Sequence, residues 1–430
     1  MTVGEPLETM PAATSRPDPD RLGARYWRLW SASTVSNLAD GIIKIGLPLV
    51  AVAYTSSPVL VAGVAVAFSL PWLLFALPAG ALVDRLDRRR VMLAANTLRA
   101  ALAGALALAM ALDAGSIWLL YVVAFSAGAA ETLYDTSAQS ILPQLVSREL
   151  LPRANGRLHA AELTANQFIG PPLAGFLVAG GAAVALAGPA GLWAVAVALL
   201  FLVGGRFRVE REGRTTLRAD IAEGLRFLWR HRLLRTLAVM VGGGNFTTNA
   251  VFGVLVLYAV GPGSAIGLTE PGYGLLLTTI AAGIVLGSLV AARIERRLGR
   301  ARALGVSVVT WSGIVGVPAL TTSPFVIGAV FFVGGILLAV WNVITVSLRQ
   351  RVTPDHLLGR VNSGYRLLAW GSMPLGAAAG GLLAELFGLR AVFAIMGVVA
   401  FSLLLGMFWV TDAAIHAAER DVAGSPSESP

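Results

Sequence analysis

A chain of 430 residues that is 56% hydrophobic and only 13% charged is too apolar for a soluble globular domain, which excludes a soluble enzyme. At roughly 20 apolar residues per bilayer crossing, that length holds about twelve spans and no sizeable soluble domain. The absence of cysteine removes disulfides, thiolate metal sites and a cysteine nucleophile, and the formal charge of +9 is scattered over loops, not gathered into the aromatic-interleaved patch that nucleic acid requires.

Residues 1–26, with Pro11, Pro17, Asp18, Pro19 and Asp20, have nothing to bury and read as a disordered cytoplasmic tail. Apolar segments follow at 27–53, 58–83, 91–112, 116–138, 158–180 and 184–204, then at 235–260, 272–293, 301–320, 324–347, 362–385 and 390–411. Each is expected to be a helix, because unpaired backbone groups cannot face lipid. The stretch 205–234 between the two sets is an arginine-rich cytoplasmic linker. Within it Leu217, Ile221, Leu225 and Leu228 make one stripe and Arg218, Arg226 and Arg230 lie elsewhere, the pattern of an amphipathic helix at the membrane face. Residues 412–430, ending in Ser and Pro, read as a second disordered cytoplasmic tail.

The connections alternate in charge. Arg85, Arg88, Arg89 and Arg90 follow span 2, Arg148, Arg153 and Arg157 follow span 4, Arg296, Arg297, Arg300 and Arg302 follow span 8, and Arg349, Arg351 and Arg360 follow span 10. The opposite connections carry almost no basic residue, so the arginine-rich loops and both termini are expected in the cytoplasm. A miscounted span would invert every later loop. The halves also repeat: 146–155 resembles 352–362, and Gly170, Ala174, Gly175 and Leu177 correspond to Gly376, Gly380, Gly381 and Leu383. Two parallel six-helix bundles are the plan of one large transporter class.

The loop after span 2 reads Gly80-Ala81-Leu82-Val83-Asp84-Arg85-Leu86-Asp87-Arg88-Arg89-Arg90. This run resembles the loop 2–3 signature of the major facilitator superfamily, with Asp87 where the signature usually has glycine. Span 5 carries Gly170-Pro171-Pro172-Leu173-Ala174-Gly175, which is similar to that family's antiporter motif, with Ala174 replacing a glycine and Asn166 standing where an upstream glycine is expected. Spans 1 to 5 and Leu142-Pro143-Gln144-Leu145-Val146 look like the bacterial branch of enterobactin-type siderophore exporters and macrolide efflux proteins. The resemblance implies an all-α membrane protein of twelve transmembrane helices in two six-helix bundles. It also implies a latch in which Gly80, Asp84, Arg85, Arg88 and Arg89 meet the start of span 11 in the outward-facing state, and an antiporter-like element at Gly170, Pro171 and Gly175.

Ionisable residues inside spans are costly and point to function. Asp40 and Lys44 share a face of span 1, Glu131 and Asp135 share a face of span 4, and Arg99 lies in span 3. These five are the proton-coupling candidates. Asp40 stands near midmembrane, either as a proton carrier or as an internal partner of Lys44; Arg99 is placed to pair with Glu131 or Asp135; Asp135 sits near the cytoplasmic end. Glu162 in span 5 reads as structural. The second half offers neutral polar and aromatic groups instead, so Asn37, Asn245, Phe246, Asn249, Phe331, Trp341, Asn342, Tyr365 and Trp370 are candidates to line a substrate cavity.

The reading is a bacterial inner-membrane exporter of a small amphipathic molecule, a drug, siderophore or other natural product, working by proton antiport through alternating access. It needs no cofactor or metal, is driven by the proton gradient, has no nucleic-acid partner and acts as a monomer in the lipid bilayer. Proton-coupled uptake and a non-transporting receptor or scaffold are the alternatives. No Gly-x-x-x-x-Gly-Lys-Ser/Thr loop or nucleophile-base constellation points to an enzyme.

Overall fold

The computed structural model describes residues 22–83, 85–205, 207, 217–261 and 263–423. The first half contains α1 (Ala24–Ala51), α2 (Pro58–Val83), α3 (Arg88–Ala111), α4 (Ile117–Ile141), α5 (Leu151–Leu163), α6 (Gly170–Ala179) and α7 (Ala182–Phe201). Helix α8 (Leu217–Arg230) leads into α9 (Arg232–Ala259), α10 (Glu270–Leu298), α11 (Arg300–Leu320), α12 (Pro324–Val352), α13 (Asp355–Phe387), α14 (Leu389–Ser402) and α15 (Asp412–Ala423). Eleven helical stretches among the described residues are long and apolar enough to cross a membrane. The remaining expected span, the fifth, is helical from α5 to α6 but broken by a π turn at Thr164–Ile169. Pro171 and Pro172 explain the break, since neither has an N–H for the carbonyl four residues back and a wider turn relieves the mismatch.

Loop chemistry sets several helix ends. Ser116 caps α4 by accepting from the Leu119 N–H, and Thr269 caps α10 by accepting from the Gly272 N–H. Gly299 and Gly388 take φ of 78° and 83° between consecutive helices, a conformation open to glycine and strained for other residues. Asp87 caps α3 through the Arg90 N–H at 3.1 Å, and its other oxygen accepts the Phe207 N–H at 2.8 Å. The aspartate that departs from the family signature thus ties the loop after α2 to the chain leaving α7.

Close approaches at glycine bring the helices together, and they repeat between halves. Gly170 lies against the Gly41 backbone of α1, and Gly376 of α13 lies against the Phe246 backbone of α9. Between bundles, Gly175 meets the Glu270 carbonyl at the start of α10, and Gly381 packs on Val59 and Ala62 of α2. With no side chain in the way, backbones approach closely. Ser57 also donates to Glu385 Oε2 across the same interface at 3.3 Å. All these inter-bundle contacts lie at the arginine-poor ends, so the bundles are shut against each other on that side. A Cβ on Gly175 would strike the Glu270 backbone, which cannot swing aside as a side chain can. Gly175→Leu is therefore expected to hold this side open and raise thiol labelling of a Ser57→Cys reporter several-fold over the reporter alone. The chain's lack of cysteine makes that measurement direct.

Two peripheral elements correct the sequence reading. The stretch from residue 412, expected to be structureless, begins with α15. Its Ile415 and Ala418 are buried, its Glu419 accepts from Arg300 at 2.7 Å and Arg351 at 3.4 Å, and its Asp412 accepts the Ala301 N–H at 3.1 Å. Two apolar positions three residues apart and two arginines at helix ends suffice to dock a short helix that hydropathy alone passes over. At the other end, α1 starts at Ala24, and buried Tyr26 donates to the Ala154 carbonyl at 3.0 Å, so residues 24–26 belong to the bundle and not to a tail. Residues 1–21 and 424–430 lie outside the described residues. In the stretch expected to be a linker, α8 packs on α13: Gly224 abuts the Arg360 backbone, and Glu223 accepts from Arg360 at 2.7 Å.

Candidate functional site

A cluster of charge lies in the interior of the first bundle, where α1, α3 and α4 meet. Asp40 on α1 accepts from Arg99 on α3 at 2.5 Å, with side chains 3% and 0% exposed. Arg99 also donates to Asn96 Oδ1 at 2.5 Å and to Ser36 at 3.4 Å, and lies over the Tyr134 and Trp193 rings. One turn along α1, Lys44 donates to Glu131 on α4 at 2.8 Å. The sequence reading paired these groups differently, Asp40 with Lys44 and Arg99 with the span 4 acids. The structure exchanges the partners because residues one turn apart on α1 point toward different neighbours, α3 for Asp40 and α4 for Lys44.

The exchange decides the charge balance. Asp40 with Arg99, and Glu131 with Lys44, are two neutral pairs. Asp135, one turn beyond Glu131, has no hydrogen bond or ion pair among the described residues. Its half-buried carboxylate lines a cavity of about 300 Å³ between α1, α4 and α5, together with Asn37, Gln139, His159 and Glu162. His159 and Glu162 are paired at 3.4 Å. Asn96 Nδ2, Arg99 Nε, Glu131 Oε2 and Trp193 Nε1 are buried without a protein partner, so this cluster is also where the first bundle concentrates unsatisfied polarity.

Gln139 also lines a second cavity, of about 180 Å³, between the bundles. Here Trp72 of α2 meets Trp370 of α13 edge-on at 4.6 Å, and Arg366 stacks on Trp370 at 4.1 Å. Arg366 forms no ion pair among the described residues and is within electrostatic reach of Asp135. The two cavities therefore flank the C-terminal half of α4, with an acid on one side and a stacked guanidinium on the other. The sequence points to Trp370, and neither Trp72 nor Arg366 stands out in it. The signal available was the four-residue spacing from Arg366 to Trp370, which stacks a guanidinium on a ring within one helix.

The other candidates scatter. Asn37 lines the first cavity, and Tyr365 lies under Arg349 at 4.0 Å. Phe331 and Trp341 are corrections: at 0% and 1% exposure they pack inside the second bundle, against Phe252 and Trp311. Asn342, the next residue on α12, points outward and is exposed, as a turn of 100° per residue requires. Asn245 donates to the Ala369 carbonyl at 2.7 Å and Asn249 to the Asn245 carbonyl at 2.9 Å. Since Gly41 and Phe246 hold equivalent contacts, Asn245 and Asn249 are the second-half counterparts of Asp40 and Lys44, with amides where the first half has charges. Phe246 is half-buried at that crossing.

In the loop after α2, Arg85 is exposed. Arg88 donates to the Ser140 carbonyl at 2.7 Å, and Arg89 donates to the Leu200 and Phe201 carbonyls at 2.9 Å, capping α7. Both sets of contacts lie within the first bundle. Asp84 lies outside the described residues, and Gly80 is placed only as part of α2. Of the span 5 motif, Gly170 serves packing within the bundle, Gly175 packing between bundles, and Pro171 the π turn with a carbonyl lying against Gly274 of α10.

Comparison with known proteins agrees with this architecture. The multidrug efflux pump Tap of Mycolicibacterium fortuitum is 30% identical over 416 residues, 92% of this chain and 97% of that one. Tap of Mycobacterium tuberculosis is 30% identical over 381 residues, 84% of this chain and 87% of its own. Among solved structures, the nucleoside transporter NupG superposes with a TM-score of 0.68 at 14% identity, covering 90% of this chain and 98% of NupG. A bacterial homologue of ferroportin in an inward-facing state gives 0.68 at 19% identity, covering 89% and 98%. The transmembrane secretion effector family matches residues 23–428. With paired bundles meeting through repeated glycine crossings, this chain is a multi-pass membrane transporter and belongs to the transmembrane secretion effector family of the major facilitator superfamily.

Proposed function

We propose that this transporter exports a small amphipathic molecule from the cytoplasm in exchange for protons, with Asp135 as the exchanging carboxylate. The observation that carries the reading is the charge balance: Asp40 and Glu131 already hold Arg99 and Lys44, whereas Asp135 faces the cavity with no ion pair among the described residues. A proton joins or leaves Asp135 without breaking a buried ion pair, and cargo entering the same cavity competes with that proton. Alternating access follows from two bundles rocking about the contacts at Gly175 and Gly381. In this reading the arginine-rich ends face the cytoplasm of a bacterial inner membrane, and the Asp84 loop latches them when the cavity opens outward.

Each entering proton supplies about 2.3 kcal/mol per 100 mV of membrane potential and about 1.4 kcal/mol per pH unit. Export is favoured over uptake by the Gly170–Gly175 element and by the efflux function of the Tap pumps. Inverted membrane vesicles acidified inside, given a panel of fluorescent amphipathic dyes, test the direction. Dye accumulation that collapses with the pH gradient is expected, and accumulation only in right-side-out vesicles with an outside-acid gradient would establish uptake instead.

A further inference from the structure

A groove of about 640 Å³ runs down the outside of the second bundle, at the arginine-rich ends of α9 and of the chain that follows α14. Its two walls grade from polar to apolar in the same direction. On α9, Arg232 is followed at helical spacing by Arg235 and then by exposed Val239. On the facing wall, Trp409 gives way to Gly406 and Leu403 of the Leu403–Phe408 turns. The bare backbone at Gly406 keeps the groove open beside Met240, whose sulfur would meet an added Cβ at 2.6 Å.

The upper end carries charge without compensation. Arg232 lies 5.9 Å from the centre of the Trp409 ring, and Arg235 donates to the Trp229 carbonyl at 3.1 Å. Neither arginine has a carboxylate partner among the described residues, and no acid lines the groove. Trp229 and Trp409 are 50% and 44% exposed, and exposed tryptophan favours the zone between headgroups and acyl chains. The N-terminus of α9 adds its partial positive charge at Arg232.

We propose that this groove binds one anionic phospholipid. The phosphate lies between Arg232 and Arg235, the glycerol region rests between the two tryptophans, and an acyl chain descends along Val239 and Leu403. Charge complementarity selects the occupant: a phosphatidylglycerol phosphate brings one negative charge to two guanidinium groups that have no carboxylate partner among the described residues, whereas a zwitterionic headgroup also brings a cation that they repel. Basic pockets between transmembrane helices recognise lipid headgroups in this way. The proposal rests on the membrane-spanning fold and not on the direction or coupling of transport.

Native mass spectrometry of the delipidated full-length protein, titrated separately with phosphatidylglycerol and with phosphatidylcholine of matched chains, tests it. At about 1 kcal/mol per arginine near a membrane surface, the Arg232→Gln/Arg235→Gln pair should weaken phosphatidylglycerol binding by about thirtyfold and leave phosphatidylcholine binding unchanged. Val239→Trp, at an exposed position, keeps both arginines but fills the acyl path, and should lose phosphatidylglycerol as well. Equal retention of phosphatidylglycerol by the wild type and both variants overturns the proposal. So does equal binding of the two lipids by the wild type, displacement of lipid by millimolar inorganic phosphate, or a lipid-free dimer that the variants abolish.

Discussion

Asp135→Asn is expected to abolish transport driven by a pH gradient while leaving the protein folded. Asparagine keeps the size and polarity of the side chain in the cavity beside Asn37 and Gln139, and it breaks no hydrogen bond or ion pair among the described residues. What it removes is a group able to alternate between charged and neutral. The pH dependence has a definite sign. Cargo binding to the wild type should weaken as pH falls and protons occupy Asp135, and in the variant it should no longer vary with pH over that range. Proteoliposomes with an imposed pH gradient measure the first effect, and ligand-induced fluorescence quenching at several pH values measures the second. Undiminished gradient-driven transport by the variant would remove Asp135 from the coupling mechanism.

Asp40→Asn is expected to fail differently, by loss of stability. Arg99 is fully buried, and Asp40 is the carboxylate that neutralises it. Removing one partner of such a pair leaves a charge with nothing to balance it, which costs about 3–5 kcal/mol in protein interiors. The variant should lose folded yield and unfold at lower temperature in detergent, and Asp40→Asn combined with Arg99→Met should recover much of both. A variant of wild-type stability that had lost only proton coupling would return Asp40 to the role that its depth in span 1 first suggests. Comparing the two single variants therefore separates a structural carboxylate from an exchanging one by two readouts, thermal unfolding and gradient-driven flux.

The contrast between Asp40 and Asp135 shows where sequence reading stopped. Both are legible as intramembrane acids, and spacing puts Asp40 with Lys44, and Glu131 with Asp135, on shared helix faces. A shared face gives no information about the element opposite, and two residues one turn apart can serve different neighbours, as Asp40 and Lys44 do. Phe331 and Trp341 were misread for a related reason. An aromatic residue in a span suits a cavity, a bundle interior or lipid equally well, and only packing distinguishes them. Arg366 was passed over because its value comes from Trp370 in the same helix and from Asp135 in the opposite bundle.

By itself the sequence determined the membrane class, the helical spans, their grouping into two repeated sets and the family signature after α2. Those follow from local rules: hydropathy over about 20 residues, the need to satisfy every backbone group in lipid, and charge that alternates from loop to loop. Tertiary structure alone decided which acid of the buried cluster has no ion pair among the described residues, which glycines join helices within a bundle and which join the bundles, and that Asp412–Ala423 forms a docked helix. Each of these depends on which distant surfaces meet, and a pairing between helices far apart in the chain leaves no periodic trace in either.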